Sequence, residues 1–289
     1  MRVVSLLPST TEILFAIGAG DDVVGVTFEC DFPAAARSRR IVSSTSLPEG
    51  LTPAGIDAHV AAAVAAGEDL YRLDAGALAD LDAELVVTQD LCAVCAIDVS
   101  LVDDALTHLG CRADVLTFDP HTLDEVLGSV LTLGAAVDRL PEAESLIASL
   151  QSRLQSVRER VAGRPCPRVV LLEWTDPPYA PGHWIPEMIE AAGGECVLGE
   201  LGGKSVRVEW QAVYDARPDV VLVAPCGYDR AGAQAQADQL VADGLLPDGV
   251  RVHAVDADAM WARPGPRLVE GVEELAAVLH PASGQSSAQ

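Results

Sequence analysis

"PEAESLIASLQSRLQSVRERVAG", residues 141–163, carries a single helical stripe in which Leu146, Ile147, Leu150, Leu154 and Val157 recur at intervals of three and four. Pro141 suits a first helical turn, where its missing N–H costs nothing, and Gly163 can take the left-handed conformation that ends a helix. At 1.5 Å per residue, a helix over about 141–162 is roughly 30 Å long. On either side of this stretch, short β-branched runs alternate with helical patterns. "RVVSLL", "VVGVTF", "ELVVTQ" and "ADVLTF" precede it, and "RVVLLEW", "VVLVAP" and "VRVHAV" follow it.

Alternation of strand and helix predicts βα units and parallel strands. The expected fold class is therefore α/β, with two Rossmann-like lobes of mostly parallel sheet joined by a long rigid helix. The expected boundaries are 1–120 for the N-terminal lobe, 121–164 for the connecting helices, 165–282 for the C-terminal lobe and 283–289 for a disordered tail. Two lobes joined this way leave a cleft outside the carboxyl ends of their strands, the usual ligand position in open α/β sheets.

Acidic residues outnumber basic ones 43 to 19, for a formal charge of −24, which repels phosphate backbones and anionic membrane surfaces. Nucleic acid is excluded as a partner on that ground. No apolar segment reaches the ~20 charge-free residues of a membrane span, so membrane insertion is not expected. In residues 1–20, Pro8, Ser9, Thr10, Thr11 and Glu12 interrupt the apolar run that a signal peptide would keep continuous. The stretch reads as a strand, a turn and a helix of the fold, and a cytoplasmic location is expected. Seven cysteines in such a chain read as thiols or ligands rather than a disulfide framework. There is no GxGxxG, no GxxxxGK[ST] and no GxSxG, and no Ser-His-Asp order stands out. Nothing in the sequence argues for catalysis.

Five segments at expected strand ends collect unusual residues. In "LLPSTTEIL", Ser9 or Thr10 can cap the following helix, whose amides could also face an anionic group. In "TFECDFP", side chains alternate along an extended chain, so either Glu29 and Asp31 or Cys30 alone face a cleft. "TQDLCAVCAID" places Gln89 at a strand end and a Cys92-x-x-Cys95 pair just after it. With Cys30 as a third thiol, these cysteines are candidate ligands for zinc or an iron–sulfur cluster that leaves one position open. "LLEWTDPPYAPGHWIPEMIEAAGG" concentrates Glu173, Trp174, Asp176, Tyr179, His183 and Trp184 in a proline-stiffened loop, a composition suited to a flat apolar or amphipathic ligand. His183 is open to three roles: axial or metal ligand, hydrogen-bond donor, or helix cap. Trp210, Asp258, Trp261 and Arg263 complete the set, the last two just after the final strand.

The plan of lobe, strut and lobe, together with "ECDFP", "TQDLCAVC", "DPPYAPGHW" and "WARPGPRLVEGVEELA", resembles the cobalamin-binding and iron-complex-binding proteins of ABC importers over residues 1 to about 281. The resemblance implies a helical-backbone periplasmic-binding fold that holds a corrinoid, siderophore or haem between its lobes. It places the "PSTTE" turn and the "ECD" loop on the N-lobe rim. It places Trp174, Tyr179 and the "GHW" residues against the ligand, with Trp210 and the residues from Asp258 to Trp261 as further contacts. Importer-docked relatives present an acidic residue at a helix start on each lobe. Gly76 and Gln211 align near those places, with Asp74 and Glu209 as neighbours, which argues against docking to an ABC permease. The leading expectation is non-catalytic binding of a cobalamin-like corrinoid or related metal chelate. The alternatives are a cytoplasmic metalloprotein or enzyme on Cys30, Cys92 and Cys95, and an importer receptor for siderophore or haem.

Overall fold

The strand runs of the sequence alternate between two buried faces, and the structure shows why. A computed structural model describes residues 1–89 and 113–281. Its chain divides into two units, Met1–Pro120 with Leu127–Ile147 and His121–Val126 with Ala148–Gln289.

In the first unit, β1 (Val3–Ser5) leads into α1 (Pro8–Ala16), followed by β2 (Val23–Val26), β3 (Arg40–Ile41), β4 (Ser43–Thr45), α2 (Pro53–Ala66), β5 (Tyr71–Leu73), α3 (Ala75–Ala79), β6 (Leu85–Gln89) and β7 (Asp114–Phe118). The main sheet has the order β3-β2-β1-β6-β7 and is parallel throughout, while β4 and β5 form a separate antiparallel pair. Val3, Leu85 and Val87 point into one core with Ile13 and Leu14 of α1 and Ile17 just after it. Their neighbours Val4 and Val86 point into a second core with Val42, Leu78 and Leu81. Burial on both faces is what a parallel sheet requires, and it explains why these strands read as continuous apolar runs.

Two helices follow, α4 (Leu123–Ala136) and α5 (Leu140–Val161). At 22 residues, α5 is about 33 Å long. Leu146 and Ile147 pack on the core of the first unit, and Leu150, Leu154 and Val157 are buried further along. The apolar stripe of the sequence is thus one buried helix face. Gly134 of α4 lets the two helices touch, since a Cβ there would lie 2.5 Å from that of Ala143.

The second unit continues with β8 (Arg168–Leu172), β9 (Trp174–Thr175), β10 (Pro178–Ala180), α6 (Ile185–Ala191), β11 (Glu195–Leu198), β12 (Val206–Arg207), α7 (Trp210–Asp215), β13 (Val220–Val223), α8 (Arg230–Ala242), β14 (Arg251–Ala254), α9 (Ala257–Met260) and α10 (Leu268–Leu279). Its main sheet is parallel in the order β11-β8-β13-β14, and a small antiparallel sheet orders β12-β10-β9. The expectation of two α/β units with parallel sheets holds, and all seven strand runs quoted above contain strands. No helix among the described residues is long and apolar enough to cross a membrane.

Arg153 of α5 grips Glu273 of α10 with both guanidinium nitrogens, Nε to Oε1 at 2.9 Å and Nη2 to Oε2 at 2.6 Å. The Arg153 hydrogen bond holds the Glu273 carboxyl below its ordinary range, outweighing partial burial. Both side chains keep about a third of their surface in water, so solvent screens the pair. Glu273→Ala is expected to cost about 0.5–1 kcal/mol near neutral pH. A depressed carboxyl contributes above its unfolded pKa and loses that contribution as pH falls through the folded value. The deficit should therefore vanish in acid, which urea unfolding of the variant and the parent at several pH values would show.

Candidate functional site

Because β8, β13 and β14 are parallel, their carboxyl ends meet along one edge of the second unit. The segments that follow, residues 173–184, 224–229 and 255–263, are tied together there. Cys226 N donates to Glu173 O at 3.1 Å, and Asp258 N donates to Tyr228 O at 3.0 Å. Trp174 and Tyr179 face each other across the β9–β10 pair, and the half-buried Trp174 ring lies 5.8 Å from that of Tyr228. Arg263 closes the edge with a 2.6 Å ion pair to Asp258. Asp176 is exposed at the tip between β9 and β10, and Trp210 begins α7 leaning on the core beneath β8 and β13. The structure thus brings together Glu173, Trp174, Tyr179, Asp258 and Arg263, and adds Tyr228.

The "GHW" turn is built on a close backbone approach. A Cβ at Gly182 would collide with Gly203 O and lie 2.5 Å from Lys204 C and 2.6 Å from Ser205 N, so only glycine fits. His183 has φ +49°, a left-handed conformation unusual for a non-glycine residue. Two hydrogen bonds hold it: His183 N to Gly203 O at 2.6 Å and Gly202 N to His183 O at 3.1 Å. The His183 ring lies 5.5 Å from that of His121, and the His121 Nδ1 is 3.2 Å from Gly202 O.

Sequence reasoning sets Trp184 and Trp261 against the ligand, and here the structure corrects it. Trp184 is 6% and Trp261 1% exposed, and the Trp184 indole donates to Trp261 O at 2.8 Å. The two rings anchor the turn from the interior, because that hydrogen bond and the packing around α10 hold them inside. Tyr228 and His121 escaped the sequence reading. Each stands shortly after a strand-like run, "VVLVAP" and "ADVLTF", and that position was the available signal.

Glu173 sits at the end of β8, where its carboxyl accepts hydrogen bonds from the Ser205 side chain and the Gly182 backbone. Although the residue keeps some contact with solvent, its carboxyl is desolvated, and burial outweighs those two bonds and pushes its pKa up to about 7. Burial also pushes the nearby Cys196 thiol up to about 11 and raises the Tyr228 phenol. The edge thus combines aromatic faces with hydrogen-bonding groups and one internally neutralised ion pair, Asp258 with Arg263, which suits a broad ligand with an apolar body and polar rim.

In the first unit the expected cap at Ser9 or Thr10 is corrected as well. The residue before α1 is Leu7, with Pro8 opening the helix and no side-chain cap. Thr10 Oγ1 instead bonds to Ser5 Oγ at 2.7 Å and to Leu7 O at 3.1 Å, and Ser9 is buried beside it. Glu29 accepts from Tyr71 OH at 3.0 Å, Asp31 pairs loosely with Arg37 at 3.5 Å, and Gln89 ends β6, buried opposite Phe118. Cys30 is 4% exposed with its thiol 3.0 Å from the Thr11 hydroxyl. Cys92 and Cys95 lie outside the described residues. Among the described residues no group of three His, Cys, Asp or Glu side chains could hold a metal.

Exposed acidic residues do stand at helix starts: Asp74 caps α3 by accepting from Ala77 N at 2.9 Å, and Glu209 precedes α7. The residues aligned by sequence, Gly76 and Gln211, lie inside those helices, two positions after Asp74 and Glu209.

An uncharacterised ABC transporter substrate-binding lipoprotein of Bacillus subtilis is 27% identical over 97% of this chain and 80% of its own length. The vitamin B12-binding protein of Yersinia pestis is 25% identical over 95% of this chain and 84% of its own. Among solved structures, a periplasmic haem-binding protein of Pseudomonas aeruginosa superposes with a TM-score of 0.73 at 18% identity, covering 99% of this chain and 95% of that one. These likenesses overturn the expected cytoplasmic location, since the relatives are lipoprotein and periplasmic binding proteins, and they lend no support to a cytoplasmic metalloenzyme. Residues 3–247 match the family described as periplasmic binding protein, and the chain belongs to that family of substrate-binding proteins.

Proposed function

We propose that this substrate-binding protein takes a corrinoid, or a related flat metal chelate, at the strand-end edge of its second unit. The observation that carries the reading is the cluster of Trp174, Tyr179 and Tyr228 around the carboxyl ends of β8 and β13. Aromatic faces match the planes of a tetrapyrrole, and Glu173, Asp258 and Arg263 offer partners for its polar rim. The vitamin B12-binding relative favours a corrinoid over haem. Titrating the purified protein with aquocobalamin, cyanocobalamin and haemin, by visible spectroscopy and calorimetry, tests this. Saturable binding with the corrinoids ahead of haemin is expected, and absence of heat and spectral change with all three would sink the proposal.

Docking to an ABC permease belongs to the same reading, because the Bacillus subtilis relative is an ABC transporter protein and because Asp74 and Glu209 supply exposed acidic helix starts. Reversing both charges, Asp74→Lys with Glu209→Lys, should abolish corrinoid uptake by cells while leaving corrinoid binding intact. Undiminished uptake would remove the docking claim.

A further inference from the structure

The small antiparallel sheet sets one row of side chains across the strand-end edge. Tyr179 of β10 pairs with Trp174 of β9 on one side and with Arg207 of β12 on the other. Residues directly opposite in an antiparallel pair carry their side chains on the same face, so Trp174, Tyr179 and Arg207 share one face of this sheet. Val208 N donates to Pro178 O at 2.9 Å, which makes Tyr179 and Arg207 a pair of the narrow, non-hydrogen-bonded kind, in which side chains stand closest. On the far side of the row, the Trp174 ring lies 5.8 Å from that of Tyr228. Three aromatic side chains are thus followed by a guanidinium.

Arg207 is exposed, and among the described residues its side chain has no ion pair and no hydrogen bond, although carboxylates outnumber basic groups 43 to 19 in the sequence. Arg263 at the same edge is neutralised by Asp258 at 2.6 Å. A guanidinium is a planar fork of donors that matches two oxygens of a phosphate or carboxylate at once. The net negative charge of the chain does not cancel this attraction, because exposed charges more than about 8 Å away are screened at physiological salt. Two strand spacings, about 10 Å, separate β9 from β12. A flat ligand lying over Trp174 therefore meets Arg207 with its edge rather than its face.

Resting on the corrinoid reading above, we infer that Arg207 is a specificity-determining residue that binds the phosphodiester of a corrinoid's nucleotide loop. The macrocycle lies on the aromatic row, its amides meet the polar groups of the edge, and the phosphodiester, a permanent negative charge on the periphery, meets the guanidinium. The contact is an ion pair with hydrogen bonds, and no covalent bond forms or breaks. The protein then selects complete corrinoids over those that lack the nucleotide loop.

Dicyanocobalamin and dicyanocobinamide, both held in excess cyanide, are the probes, since they share the macrocycle and both axial ligands and differ by the nucleotide loop. In calorimetric titrations the wild type should bind dicyanocobalamin about 3–10-fold more tightly than dicyanocobinamide. Arg207→Ala should weaken dicyanocobalamin by that factor and leave dicyanocobinamide unchanged, whereas Arg207→Lys should keep part of the preference and Arg207→Glu should lower dicyanocobalamin affinity below that of Arg207→Ala. Raising sodium chloride from about 0.05 M to about 0.5 M should shrink the wild-type preference and leave the Arg207→Ala ratio level. Equal affinities in the wild type, a preference retained in Arg207→Ala and Arg207→Glu, or a loss in the variants that is the same for both ligands overturns the role of Arg207 and leaves corrinoid binding standing. Failure of both corrinoids to bind the wild type overturns both readings.

Discussion

Trp261→Ala should unfold at markedly lower urea than the parent, with a loss of about 3–5 kcal/mol. Trp261 is the largest of the fully buried side chains among the described residues and follows the short helix α9, where its loop passes under α10. Gly271 of α10 is what admits it: a Cβ there would lie 2.8 Å from Met260 O and 3.3 Å from the indole. The Trp261 carbonyl also accepts the Trp184 indole N–H, so a collapse around a cavity at 261 would disturb the Trp184 ring as well. Trp261→Phe should behave differently. The Trp261 Nε1 is buried and has no hydrogen-bond partner among the described residues, and an unsatisfied buried donor costs about 1–3 kcal/mol. Phenylalanine removes that donor while keeping most of the ring, so its loss should be about 1 kcal/mol or less. A Trp261→Ala loss below 1 kcal/mol, or a Trp261→Phe loss as large as that of alanine, would contradict this account of the loop.

Which parts of this molecule were legible in advance depends on how local their causes are. β8, β13 and α5 follow from apolar periodicity because both sheet faces and one helix face are buried, and the sequence records that directly. Strands β9, β10 and β12 are two or three residues long, and a two-residue pairing such as Trp174 with Tyr179 leaves no periodicity to read. Trp184 and Trp261 were misplaced because composition cannot separate an indole that lines a pocket from one that supports it. Their hydrogen bond joins residues 77 apart. The contact of His121 with Gly202 spans 81 residues and left no trace beyond a histidine after a strand-like run. The cap misreading at Ser9 and Thr10 has a local cause: Pro8 already opens α1, and the hydroxyls turn inward to Ser5 and Leu7.

Glu173→Gln should gain stability relative to the parent as pH rises, by up to about 3 kcal/mol above neutral pH. The folded carboxyl titrates at about 7 against an ordinary value of 4.5, and each unit corresponds to about 1.4 kcal/mol. The sign follows from which state binds the proton. Between pH 4.5 and 7 the folded protein holds a proton that the unfolded chain has released, so the parent loses stability as pH rises through that window. Below 4.5 the acid is neutral in both states, and a glutamine of the same shape should match it closely. The difference between the two unfolding free energies, followed from pH 4 to pH 9, isolates this residue from the other carboxylates, which titrate alike in both proteins. A difference that stays flat would show that the Ser205 and Gly182 hydrogen bonds outweigh burial and keep the carboxylate charged. The same protonation bears on binding. A carboxyl that is largely neutral below pH 7 presents an O–H as well as a C=O at the end of β8, so it can donate to an amide oxygen on the rim of a corrinoid. Corrinoid affinity of the parent should then weaken above pH 7 while that of Glu173→Gln, whose amide always offers a donor, stays level.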